Sequence, residues 1–428
     1  MANPVIDLGE VRPSVSVPAG RPPVPWRALL GALSVVLLAL VAGSAAIAPF
    51  PAATVIPTRL ADGAFIDGDR LFVVSNQSTT FKTINAYSLP DGHLLSRTSV
   101  EVTGTVSNVL EAADTLVVSH QIGEDGEQNT LAVTVGTGRV LWQRPDGLAG
   151  ASATAGIALL STGYGAQNEA VWQAVDLHTG ALRWSTTQPA DGYTMITGPL
   201  DDYPQWFVTV HADGRVETRD ALTGQVTATR DGPPVDPHAN SIIWSVGDLA
   251  IIGGPVGGVT AYRLPGLTPI WNTRIDLSQT WMRADCGQVL CAFRPQQGIV
   301  VLDPADGHLL WQSNRWAFAQ PAGAYLIAAT LNPSADTPAY WVLEPRTGRV
   351  LGTFGNWDVV TSDSVQSTLY GIHLVPGENT ILYGTLDPAR RTATILGRGE
   401  AVNGNCQTSA DALICRRADA SVAIWRLR

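Results

Sequence analysis

A hairpin frame written eight times at a spacing of roughly forty residues constrains this chain more than any other feature. The frame is a carboxylate, a glycine four residues on, and a tryptophan four residues after that. It is clearest in Asp176-Leu-His-Thr-Gly180-Ala-Leu-Arg-Trp184 and Asp303-Pro-Ala-Asp-Gly307-His-Leu-Leu-Trp311. The glycine slots fall at Gly92, Gly138, Gly180, Gly224, Leu267, Gly307, Gly348 and Arg391. Glycine supplies the positive φ of a tight bulged hairpin, and an acid at its start caps the turn's own amides. Trp142, Trp184, Trp271 and Trp311 fill the tryptophan slot, offering large flat surfaces that seal one sheet against the next.

Between hairpins, apolar β-rich runs recur. Leu116-Val-Val-Ser119 and Leu249-Ala-Ile-Ile-Gly253 are followed by runs such as Val171-Trp-Gln-Ala-Val175 and Gly298-Ile-Val-Val-Leu302, which lead into the turn. With one further strand upstream, each unit reads as four antiparallel strands, the content of one propeller blade. The expected fold is an all-β propeller preceded by one transmembrane helix. Residues 399–428 supply a partial ninth unit ending in Ser421-Val-Ala-Ile-Trp-Arg-Leu427. Seven to nine blades fit the chain and eight is preferred, because rings of about four to eight blades are the common range.

The Asp-x-x-Thr-Gly-x-x-x-Trp frame resembles the repeat of PQQ-type β-propellers, over about residues 58–428. That superfamily includes quinoprotein dehydrogenases and the outer-membrane assembly lipoprotein of Gram-negative bacteria. It is a resemblance of fold, and one fold hosts unrelated functions. Quinoprotein enzymes add an adjacent Cys-Cys disulfide, absent here, and no set of metal ligands can be matched by motif. Neither a cofactor nor a resident metal is expected. Asp176 and Asp303 are expected to be turn formers.

Residues 28–48 contain no charge and, as a helix, rise about 30 Å, the thickness of a bilayer core. Arg12, Arg21 and Arg27 precede them and Arg59 follows. The positive-inside rule then orients the protein as a single-pass bacterial cell-membrane protein with a cytoplasmic N-terminus. The rival is a cleaved signal peptide ending at Ala46-Ile-Ala48; a long proline-rich leader and Pro49 after the cut argue against it. Four segments follow: a disordered tail 1–27, the helix 28–48, a proline-bearing linker 49–57 and the extracytoplasmic propeller 58–428.

Net charge is −10, with no basic stripe, which excludes nucleic acid as a partner. Cys286 lies near Cys291 and Cys406 near Cys415, where a unit's first strand turns into its second; local disulfides are expected, with cross-pairing as the alternative. Seven histidines are scattered and expected at the surface. Trp206, Trp244, Trp281, Trp316 and Trp357 are left as core packing or exposed platforms. Three long second-to-third-strand loops, 120–129, 162–170 and 332–339, share one face, and the first carries Glu124, Asp125 and Glu127. Recognition concentrates in such loops. The expected function is a non-enzymatic scaffold that binds an envelope protein or ligand. The alternative is an enzyme, PQQ-dependent or other, using the central face.

Overall fold

Which residues sit deepest in this chain follows from the order of strands within each repeat. The second strand of every repeat is apolar at consecutive positions. Leu71, Phe72, Val73 and Val74 are each at most 3% exposed, because both faces of the sheet are covered by neighbouring sheets. Third strands alternate, as in Phe81–Ser88, and fourth strands such as Leu182–Thr187 are largely exposed. The computed structural model describes residues 34, 50–76, 79–123, 127–162, 170–198, 203–232, 234, 242–253, 258–277, 280, 282–331, 339–362 and 368–428.

The chain divides into two units, Met1–Phe50 and Pro51–Arg428. In the first, Ser34 is helical; the remainder of the expected tail 1–27 and transmembrane helix 28–48 lies outside the described residues. Among the described residues no helix is long and apolar enough to cross a membrane.

The second unit is a propeller with nine sheets among the described residues. Blades 1 to 7 occupy residues 63–101, 105–144, 147–187, 193–231, 242–273, 282–313 and 316–353, each a meander of four antiparallel strands. Blade 8 spans 358–400. Blade 9 takes three strands from 402–426 and a fourth, Thr54–Ile56, from the other end of the chain. In that closure Thr54 lies opposite Ile424 and Ile56 opposite Val422. The preferred count of eight is therefore one short, although nine is within the expected range. Counting hairpins undercounts by one because the last blade has no third-to-fourth-strand hairpin: the two chain ends meet there. Thr54–Ile56, assigned to the linker 49–57 by its flanking prolines, belongs to the ring.

Nine apolar clusters occupy the nine joints. Alternate residues of one strand feed opposite joints. Phe72 and Val74 pack toward blade 2, while Leu71 and Val73 pack with Ile414, Val422 and Ile424 of blade 9. The ring is thus closed by the same kind of packing that joins sequence neighbours. Blade 8 departs from the pattern. Its first strand, Asp358–Val359, is two residues long, and the next segment, Thr361–Ser362, crosses to blade 9 and pairs in parallel with Gln407 and Thr408.

Candidate functional site

Two faces of the ring offer positions for function. One carries the first-to-second-strand turns and the repeat hairpins, and the other the second-to-third-strand connections.

On the hairpin face the repeat carboxylates are saturated. Asp176 accepts the backbone amides of His178 (3.1 Å) and Thr179 (2.9 Å), the Thr179 hydroxyl (2.9 Å) and the Arg183 guanidinium (2.7 Å). The Arg183 contact, followed by the Thr179 and His178 bonds, holds this carboxyl far below the usual carboxylate range. Asp220 repeats the arrangement with Leu222 and Thr223. Asp303 accepts the Ala305 amide (2.9 Å) and pairs with Arg346 of the next blade. These are turn-forming groups, as the sequence implied, and their hydrogen bonds hold Asp176 and Asp303 in the charged form, unsuited to proton transfer.

Each repeat tryptophan reaches across a joint. The Trp142 indole N–H donates to the Leu177 carbonyl (2.8 Å), Trp184 to Leu222 (3.1 Å), Trp271 to Pro304 (2.8 Å) and Trp311 to Pro345 (2.7 Å). The same ring lies flat on the next blade's hairpin glycine. A Cβ on Gly180 would come within 2.6 Å of Trp142, and one on Gly348 within 2.7 Å of Trp311. Glycine is thus required twice over, for its positive φ and for the ring above it. At two of the joints without the tryptophan, the size relation inverts. Ala228 faces Leu267, a fully buried leucine at φ +52°, in one cluster. Gly352 faces the Arg391 side chain, and Arg391 sits at φ +59° in a glycine slot. At these joints bulk moves from one partner to the other.

The opposite face differs. Of the three expected long loops, 120–129 is mostly strand. The strands Thr115–Ile122 and Glu127–Thr134 run on through this segment, pairing Gln121 with Gln128 and Ile122 with Glu127. The loop reading fails because Gln, Asn and Thr in an extended hairpin look like loop residues when read one by one. Glu127 opens its strand and is exposed; Glu124 and Asp125 lie outside the described residues. The loop at 162–170 is anchored by the Val171 amide on the Thr162 hydroxyl (2.7 Å), and that at 332–339 by the Thr330 amide on the Ala339 carbonyl (3.1 Å); residues 163–169 and 332–338 lie outside the described residues. Leu60 (86% exposed), Phe81 (58%), Leu374 and Tyr193 stand on this face. Arg315 lies over the Trp316 and Trp341 rings at 4.4 and 4.2 Å, at the foot of the 332–339 connection.

The remaining candidates fall into place. Trp244 and Trp316 are buried, Trp206 and Trp357 pack against joint clusters, and Trp281 lies outside the described residues, so four of the five platforms are packing groups. His93, His178 and His308 are exposed at hairpins, but His120 is 2% exposed. Burial lowers the His120 pKa against the opposing bond from Nδ1 to the Thr103 carbonyl (2.9 Å). It is buried because the strand continues through it where a loop was expected. Cys286 pairs with Cys291 (Cα–Cα 5.9 Å) and Cys406 with Cys415 (4.2 Å), the local pairing. Among the described residues Asp303, Asp306 and His308 group as metal ligands do, yet Arg346 holds Asp303 and the His308 ring bonds Asp306 at 2.5 Å. The group satisfies itself.

Residues 52–202 match the family model described as outer membrane protein assembly factor BamB. That span takes in the closing strand, the first three blades and the first strand of the fourth. Among solved structures the chain is similar to BamB from Moraxella catarrhalis (13% identity, 89% of this chain and 98% of that one, TM-score 0.44). It is also similar to the computationally designed Ika8 protein (15%, 76% and 98%, TM-score 0.44) and to the C-terminal WD40 domain of Sif2 (9%, 89% and 99%, TM-score 0.39). No curated protein matches the chain.

Proposed function

We propose that this chain is a non-enzymatic protein-binding scaffold of the bacterial envelope, anchored by residues 28–48 with its propeller outside the cytoplasm. The observation that carries the reading is the match of residues 52–202 to a family described as an outer membrane protein assembly factor. By that likeness the partner is a protein. The saturation of the repeat carboxylates supports the same reading, because an acid clamped by Arg183 or Arg346 is a poor general base. The long connections of the opposite face, beside exposed Leu60 and Leu374, supply a surface suited to a protein.

The test is purification of the full chain from native membranes, followed by two measurements. Intact mass is expected to include residues 1–26; a chain beginning near Pro49 would remove the anchor. Incubation with PQQ and calcium is expected to leave no chromophore after desalting. A retained chromophore with turnover of an alcohol would replace the scaffold by an enzyme.

A further inference from the structure

The joint between blades 9 and 1 holds a cavity of about 440 Å³, lined by Ala64, Ile66, Leu71, Ile414, Val422 and Arg416, with residues 404–407 along its rim. That volume lies in the range of small-molecule sites. It exists because the first strand of blade 9 carries surplus chain. Val402 pairs with Arg417 and Cys406 with Cys415, so four steps on one strand span two on its neighbour. The surplus, with Gly404 at φ +92°, bulges away from the position opposite Arg416. Bulges of this kind re-aim side chains and recur at functional sites.

Arg416 is the unusual group. It is half-buried and donates through Nη1 to the carbonyls of Arg59 and Ala420 (3.2 Å each) and through Nη2 to the Asp62 carbonyl (2.8 Å). Among the described residues no carboxylate lies within ion-pair distance of it, whereas its neighbour Arg417 pairs with Asp419 at 3.5 Å. Both Asp62 carboxylate oxygens accept backbone amides, of Arg59 and Asn76. Three of the five guanidinium N–H groups are thus fixed on neutral oxygens, leaving Nε–H and one Nη2–H. A half-buried cation among aliphatic side chains, without a counter-ion, favours an anion.

We propose that this cavity binds a carboxylate carried on a small apolar body. The guanidinium edge takes the carboxylate as a fork, and the Ala64, Ile66, Leu71 and Val422 walls take the body. One cation suits a monoanion better than a phosphate dianion. The site is separate from the loop face and stands or falls independently of the scaffold reading. A free acid and the C-terminus of a peptide present the same group.

Saturation-transfer NMR on the full chain tests it, with phenylacetate, phenylacetamide, N-acetyl-Ala-Phe and inorganic phosphate as probes. Phenylacetate is expected to bind at least about tenfold more tightly than its amide, the ratio of a charge-assisted to a neutral hydrogen bond. Tighter binding of phenylacetate than of N-acetyl-Ala-Phe assigns a free acid, and the reverse order assigns a peptide terminus. Because Arg416 also ties two loops together, Arg416→Gln is read beside Ala64→Phe, which fills the cavity from an exposed strand position and leaves the charge in place. Both are expected to abolish the transfer, the second with an unchanged unfolding midpoint. Equal binding of acid and amide, displacement of phenylacetate by phosphate, or full binding to a folded Ala64→Phe protein would overturn the proposal.

Discussion

The hairpin face and the loop face are built from the same strands, yet one is regular and internally bonded and the other is irregular. On the hairpin face the repeat acids and indoles have fixed counterparts, although the hairpins and the outer strands leaving them expose Leu182, Leu222, Val226 and Leu309. Asp176 is closed by two amides, a hydroxyl and a guanidinium, and each repeat indole lies on a glycine and bonds the carbonyl behind it. On the loop face Leu60 and Leu374 stand in solvent, and the connections are long and unequal. The contrast teaches that repetition marks the joints that hold the ring, and that irregularity is concentrated on the face proposed for a partner.

The harshest way to break the contrast is to put a side chain under a repeat indole. Gly307→Leu adds a Cβ into the Trp271 ring at φ +72° and is expected to cost more than about 3 kcal/mol, combining overpacking with left-handed strain. Gly68→Ala, at φ +56° with nothing within 4 Å, is the control for backbone strain alone, at about 1–2 kcal/mol. Denaturant unfolding reads both.

Next in size, Trp142→Ala is expected to lose about 3–5 kcal/mol. Combining it with Gly180→Leu copies the Ala228/Leu267 joint and is expected to recover part of that loss. Strictly additive destabilisation in the double-mutant cycle would refute the exchange of bulk across joints.

Acid is the third lever. Asp176 and Asp303 have folded-state pKa values below their unfolded ones, so their stabilisation is present above about pH 3.9. It is lost as pH falls through the folded values. His120, also lowered, contributes above its unfolded pKa of about 6.5 and loses that contribution as pH falls below it. Thermal unfolding followed from pH 7 to pH 3 is expected to show a shallow decline first and a steep one below pH 4. A profile flat to pH 3 would contradict both assignments. Within this series Asp176→Asn removes only part of one turn, at about 1 kcal/mol.

Much of this was legible in the sequence because the repeat position of each residue states its job. The strands, the turn-forming acids and the local cysteine pairs follow from spacing. The blade count did not, since Thr54–Ile56 and Val422–Arg426 stand at opposite ends of the chain and no hairpin joins them. The inverted joints were visible as departures from the frame, Leu267 and Arg391 where glycine belongs, but their meaning required the partner slot on the preceding blade. His120 and the Arg416 cavity were hidden for another reason. Each depends on how far a strand continues or bulges, which side-chain pattern alone does not encode.

The direct test of the central claim compares two folded variants for capture of the proposed protein partner from native membranes. One shortens the segment 123–126, removing Glu124 and Asp125, and is expected to change stability by no more than about 0.5 kcal/mol. The other is Asp176→Asn. The shortened segment is expected to abolish capture, and Asp176→Asn to leave it intact. Capture that survives the shortened segment but vanishes in a folded Asp176→Asn protein would contradict this and move the function to the hairpin face.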